Sequence, residues 1–202
     1  MKKFFIKICK LLGYEILDQN NFSSPTLGKE LNEELSILNE KSIILPLGEV
    51  KITKKVNSLL IVLRMNTDIE IWDQNRKRLF EYPKIEYTKR SLNSLIRSIN
   101  FLKNKYPTIN VKTIIVDDNS STENLNVIKK VIDGNNIEIL NLDYSKYKEK
   151  ISEQKNKETF ANLASLLQSF EIGKDNGEDL IYFIEDDYLH FESMLEEMVT
   201  SF

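Results

Sequence analysis

The sequence predicts an α/β protein: a mostly parallel sheet with helices on both faces. Three observations predict it. Short apolar runs alternate with amphipathic stretches from residue 58 onward, strand then helix, four times over. The runs are continuous in apolar character, as strands buried on both faces require. Two of them stop abruptly at clustered acids, Asp117-Asp118 and Glu185-Asp186-Asp187.

Residues 1–57 read as an N-terminal extension. Phe4, Phe5, Ile8, Leu11 and Leu12 recur at helical spacing, with Lys3, Lys7 and Lys10 between them. Lysine breaks the apolar content too often for a membrane span or a signal peptide. Two readings of 1–17 stand side by side: a helix resting on an anionic membrane surface, and a helix packed on protein with its lysines in water. Asp18 to Lys29 is polar and reads as a linker. Glu30 to Glu40 suits a short helix, with Leu31, Leu35 and Leu38 on one face. Ser42 to Thr53 suits one or two short edge strands around Pro46 and Gly48.

The predicted domain covers 58–202. Ser58 to Met65 is its first strand, with Arg64, Asn66 and Asp68 at its carboxyl end. A long connection follows, Asn66 to Tyr87. It contains a short strand at Ile69 to Trp72 and a cationic cluster, Arg76, Lys77 and Arg78, of a kind that can approach phosphates, though a solvated charge run is the plainer reading. Thr88 to Lys105 is a helix striped by Leu92, Leu95, Ile96, Ile99 and Leu102, with Pro107 just beyond. Val111 to Val116 is a strand ending in Asp117-Asp118-Asn119-Ser120-Ser121, and a helix runs from about Glu123 to Ile132. Ile137 to Leu142 is a strand. Tyr144 to Lys157 is highly charged and reads as irregular or frayed helix. Glu158 to Ile172 is a helix, ended by Gly173 to Gly177. Leu180 to Ile184 is the strand that stops at the acidic triplet, and a last helix opens at Phe191.

Composition narrows the functions available. Net charge is −3, so no global field draws the chain to nucleic acid. A single cysteine, Cys9, forbids an intrachain disulfide and fits a reducing compartment. A single histidine, His190, leaves no multi-histidine metal cage. His190 reads as structural ahead of any contact with metal or diphosphate.

The acids carry the remaining chemistry. Ligands of open α/β sheets sit beyond the carboxyl ends of the strands, where both clusters fall. Three adjacent carboxylates repel one another unless cations or donors neutralise them. Alternation sends Glu185 and Asp187 one way and Asp186 the other. Two oxygen ligands on one side suit Mg²⁺ or Mn²⁺, which take one or two carboxylates and complete their shell with phosphate. The plainer readings are an acidic turn opening the next helix, and turn and cap chemistry at Asn119 and Ser120.

Ile114-Ile115-Val116-Asp117-Asp118-Asn119-Ser120-Ser121, followed by Tyr182-Phe183-Ile184-Glu185-Asp186-Asp187, resembles the family-2-type glycosyltransferases of GT-A fold. The resemblance spans Leu59 to His190. It implies a nucleotide-sugar-binding domain that moves a sugar from a nucleotide-diphosphate donor to a saccharide or other acceptor hydroxyl, in polysaccharide or glycan synthesis. It implies nucleoside contact through Asp117 and Asp118. Arg64 and Asp186 complete the expected nucleotide-binding set. Asp187 and Glu185 match the outer positions of the family's metal-binding triplet, for Mn²⁺ or Mg²⁺. Ala161-Asn162 loosely matches a further helix motif. Glu185 stands where the family has Asp, and Arg64-Met65-Asn66 departs from its usual first turn. The family's acceptor half and catalytic base lie beyond the triplet, so no residue of this chain is assigned as the base. The expected location is cytoplasmic, peripheral to the inner face of the cell membrane through 1–17. Two rivals stand beside this reading: a non-catalytic or truncated nucleotide-sugar binder, and a receiver-like phospho-signalling domain, which Asp117-Asp118 also resembles.

Overall fold

The computed structural model describes residues 2–12, 41–44, 48–51, 55–69, 82–151 and 157–201. The expected linker at Asp18–Lys29, the helix at Glu30–Glu40, the cluster of Arg76, Lys77 and Arg78, and all but the first residue of the strand at Ile69–Trp72 lie outside these. The chain divides into two compact units, Met1–Ile52 and Thr53–Phe202.

The first unit contains a helix, α1 (Lys2–Leu11), and two strands, β1 (Lys41–Ile44) and β2 (Gly48–Lys51). One or two short edge strands were expected within Ser42–Thr53. Two are found, and they pair with each other, antiparallel, from Lys41 opposite Lys51 to Ile44 opposite Gly48, as a sheet of their own. Runs this close in sequence pair locally, because closing a short loop costs little entropy.

The second unit is a three-layer α/β structure. Its strands are β3 (Ser58–Met65), β4 (Asn110–Asp117), β5 (Ile137–Asn141) and β6 (Leu180–Glu185). They form one all-parallel sheet in the order β5-β4-β3-β6. The helices are α2 (Lys84–Lys105), α3 (Thr122–Ile132), α4 (Tyr144–Tyr147), α5 (Lys157–Asn176) and α6 (Met194–Thr200). The chain steps from β3 outward to β4 and β5, then returns past β3 to place β6 on its other side. That order is the Rossmann type and not the flavodoxin type, in which the second strand lies outermost and the third pairs with the first. The reversal creates a crevice between the carboxyl ends of β3 and β6.

Two apolar clusters sandwich the sheet. On one face Leu59, Ile61, Leu63 and Met65 of β3 and Ile115 of β4 meet Leu92, Leu95, Ile99 and Leu102 of α2, Ile128 of α3, and Leu195 of α6. On the other, Leu60, Val62, Ile114 and Val116 meet Ala164 of α5 and Tyr147 of α4. The alternation along β3 supplies both faces because its neighbours cover both.

Three expected boundaries move. The helix foreseen from Thr88 starts at Lys84, directly after Pro83, which holds the extended conformation of a cap residue. The last helix starts at Met194, not Phe191. The larger change is at the end of α5. The stretch Gly173 to Gly177 was expected to end a helix reaching Ile172; the helix passes through Gly173 and stops at Asn176, directly before Gly177. A Cβ at Gly173 would lie 2.7 Å from Cζ of Phe183, and one at Gly177 would lie 2.4 Å from Cδ1 of Ile181. These glycines let the helix end lie against β6.

Candidate functional site

The sheet register brings the predicted residues together. Met65 is level with Asp117, and Arg64 is level with Glu185. The two acidic clusters therefore flank the end of β3, one on each side. Arg64, Asp117, Asp118, Glu185, Asp186 and Asp187 all belong to this one rim.

Asp117 closes β4 with its side chain inside the protein, 1% exposed. One oxygen, Oδ2, accepts from the backbone N–H of Ser120 at 3.2 Å. Asn119 takes a positive φ of 54° to turn the chain back for that bond, a conformation asparagine tolerates. Among the described residues, Oδ1 of Asp117 has no partner, and neither has the hydroxyl of Thr67 just past β3. Burial pushes the Asp117 carboxyl above its ordinary value, and the nearby charges of Asp118 and Asp68 add to this.

Asp118 is also buried, and both of its oxygens are engaged. The Tyr144 hydroxyl donates to Oδ1 and the Asn66 amide donates to Oδ2 at 3.2 Å. Desolvation and this carboxylate push the Tyr144 phenol up to about 12. Asp68 receives the Ser121 backbone N–H, the Ser121 hydroxyl at 3.2 Å and the Asn124 amide at 2.6 Å. It thereby ties the end of β3 to the first turn of α3, where Ser121 also caps the helix by accepting from the Asn124 N–H.

The triplet does not split as alternation predicts: β6 ends at Glu185, Asp186 and Asp187 lie in the turn beyond it, and both approach Lys84 while Glu185 meets Arg64. Asp186 turns inward, 5% exposed, onto α2. Its Oδ1 lies 2.7 Å from the Lys84 ammonium and its Oδ2 accepts from the Thr88 hydroxyl at 2.8 Å. Expected to touch nucleotide, it is placed where it anchors β6 to α2. Glu185 and Asp187 are exposed. Glu185 pairs with Arg64, whose other guanidinium nitrogen donates to Oδ1 of Asn162 at 2.8 Å. Arg64 thus bridges β6 and the start of α5 across the mouth of the crevice. Asp187 has a looser contact, 3.8 Å, with Lys84.

His190 is half-buried between α2 and β6. Its backbone N–H donates to the Ser94 hydroxyl at 3.0 Å, and its ring nitrogens approach Ser94 at 3.4 Å and the Tyr182 hydroxyl at 3.3 Å. Burial lowers its pKa. A shallow depression lies on α2 beside Arg90, Asn93, Ile96, Arg97 and Leu189, and none of the predicted site residues lines it.

Among the described residues, no group of three or more His, Cys, Asp or Glu side chains is placed to hold a metal. The donor set at the rim is smaller. Asp187 is open, and Glu185 joins it only by giving up Arg64. One or two carboxylates with phosphate oxygens completing the shell is the usual habit of Mg²⁺, so the open Asp187 fits an ion that arrives with its phosphates.

Sequence reasoning placed Asn66 and Asp68 at the first strand's end without giving them a role, and missed Thr67, Lys84 and Tyr144. Asn66 and Asp68 sit at the end of an apolar strand, and that position was the available signal. Nothing local marks Lys84 or Tyr144, because their roles depend on strands far away in sequence.

The fold and rim define an α/β protein with an acidic, arginine-bridged crevice at a topological switch point. No family model, curated protein or solved structure matches the chain.

Proposed function

We propose that the carboxyl rim of the sheet binds a nucleoside-diphosphate sugar, with Mn²⁺ or Mg²⁺, for transfer of the sugar to a saccharide or other hydroxyl acceptor. The observation that carries this reading is the pairing of Met65 with Asp117 and of Arg64 with Glu185, which sets both acidic clusters around the end of β3. Open α/β sheets bind ligands at such switch points. Asp117 supports the nucleoside role: its unpartnered Oδ1 is a buried acceptor that a base N–H or ribose hydroxyl would satisfy. Arg64 supplies a planar cation suited to phosphate oxygens. Asp187 is the open carboxylate for the ion, with Glu185 second. A bound ion would neutralise charge developing on the leaving diphosphate. In the transfer, the bond from the anomeric carbon to phosphate oxygen breaks and one to the acceptor oxygen forms. The acceptor's proton goes to a base this chain does not identify. The strand order favours this reading over a receiver domain, whose sheet is of flavodoxin type.

Calorimetry with a panel of nucleoside diphosphates, with and without Mn²⁺, tests the proposal. Binding should require the metal. Asp187→Ala should weaken metal-dependent binding by about tenfold or more, in line with the loss of one charged contact. Binding indifferent to both metal and substitution sinks the metal assignment. A stable aspartyl-phosphate formed from a small phosphodonor would instead favour the receiver.

A further inference from the structure

We infer that α1 docks on the surface of an anionic lipid bilayer. Its apolar side is bare: Phe4 is 71% exposed, Phe5 61%, Leu11 90% and Leu12 68%. Together with the exposed Ile8, these positions fall within an arc of about 120° on a helical wheel. Positions 3, 7 and 10, all lysine, fall within a neighbouring arc of about 60°. No acid occurs before Glu15.

An apolar stripe of this extent calls for a cover. Charge identifies the cover. A second copy of α1 would set lysines beside lysines, with no acid in either helix to pair them. An anionic bilayer offers an apolar interior and a negative surface at once. The stripe can sink to the acyl boundary, while a lysine's long stem lets its ammonium stay among the phosphates. At ten residues α1 is roughly 15 Å long, about half a hydrocarbon core, so it lies on the membrane and does not cross it. The rest of the chain is net acidic, so no global field adds to the attraction of α1.

Flotation of the full chain with vesicles tests this. Wild type should float with phosphatidylglycerol-rich vesicles and far less with phosphatidylcholine alone. Each lysine near such a surface is worth about fivefold in partitioning, so Lys3→Glu/Lys7→Glu/Lys10→Glu should lower it by about a hundredfold or more. Phe5→Ser/Leu12→Ser should also abolish flotation, and molar salt should weaken it, since screening there shortens to about 3 Å. Unchanged thermal unfolding of the variants would show that the fold is intact. Wild type remaining with the pellet, equal binding to both vesicle types, or flotation indifferent to Phe5→Ser/Leu12→Ser would each overturn the inference. So would concentration-dependent self-association of wild type in lipid-free sedimentation that Phe5→Ser/Leu12→Ser removes, because it assigns the stripe to a second copy. None of these outcomes depends on nucleotide binding.

Discussion

Neighbouring acids in this protein have opposite tasks. Asp186 is buried against Lys84 and Thr88, whereas Asp187 is open to solvent one residue later. Breaking a buried pair strands its partner at a cost of roughly 3–5 kcal/mol, and here Asp187 remains 3.8 Å from Lys84 to soften that. Asp186→Ala should therefore destabilise the fold by about 2–3 kcal/mol in urea unfolding, and Asp187→Ala by less than about 0.5 kcal/mol. Asp117 is a different case. Burial raises its folded pKa, so the folded state takes up a proton. Its contribution to stability is present below the ordinary carboxylate value and is lost as pH rises through the folded pKa. Above that folded pKa the ligand-free protein carries a buried charge that it only half satisfies. Asp117→Asn should stabilise the ligand-free fold by about 1 kcal/mol at pH 7, with the gain fading toward pH 3, while weakening nucleotide affinity. Melting curves against pH, paired with calorimetry, check both halves. A variant that loses stability and affinity together would make Asp117 a structural residue.

The instructive element is α5. Its last turn carries Gly173, and Gly177 follows it directly, because β6 lies against both. At Gly177 an added Cβ would meet the backbone oxygen of Gly173 at 2.6 Å as well as the Ile181 side chain. At Gly173 the obstacles are side-chain atoms of Phe183 and Ile181, and the Phe183 ring is partly exposed and able to swing away. Gly177→Ala should therefore destabilise by about 2–3 kcal/mol and Gly173→Ala by about 1 kcal/mol or less, measured by chemical denaturation. The reverse order would mean that the helix end shifts freely on the sheet. α2 shows a second packing device. Its serines face the chain beyond β6: Ser94 accepts the His190 backbone N–H and Ser98 accepts that of Leu195 at 3.1 Å. Small hydroxyl side chains thus hold the segment after the acidic triplet onto the helix.

Across the whole second unit, one reversal of strand order makes the crevice, and Arg64 spans it from β3 to both β6 and α5. A ligand bound there joins elements from both sides of the reversal. It should raise the stability of the unit by mass action, about 2.7 kcal/mol at a hundredfold excess over Kd. For a unit of this size that is a rise in Tm of roughly 5–10 °C with nucleoside diphosphate and Mn²⁺. Chelation by EDTA should remove the rise. A rise that persists after chelation would assign phosphate binding to Arg64 without a metal.

The sequence alone was enough to determine the alternation of strands and helices and the placing of acids at strand ends. Continuous apolar runs at β3, β4 and β6 and the leucine stripe of α2 are local patterns with strong physical causes. Alternation foretold Asp186 turning away from Glu185, but not that Asp187, in the turn beyond β6, would approach the same lysine as Asp186. Tertiary structure alone decided which acids are neutralised and by what. Arg64 meets Glu185 across 121 residues, Thr88 meets Asp186 across 98, and Tyr144 reaches Asp118 from the other side of β5. Gly173 read locally as a breaker, yet it lies within α5 as a close contact with Phe183 of β6. In each case the deciding neighbour is supplied by sheet order, and sheet order arises from packing between segments that no local pattern connects.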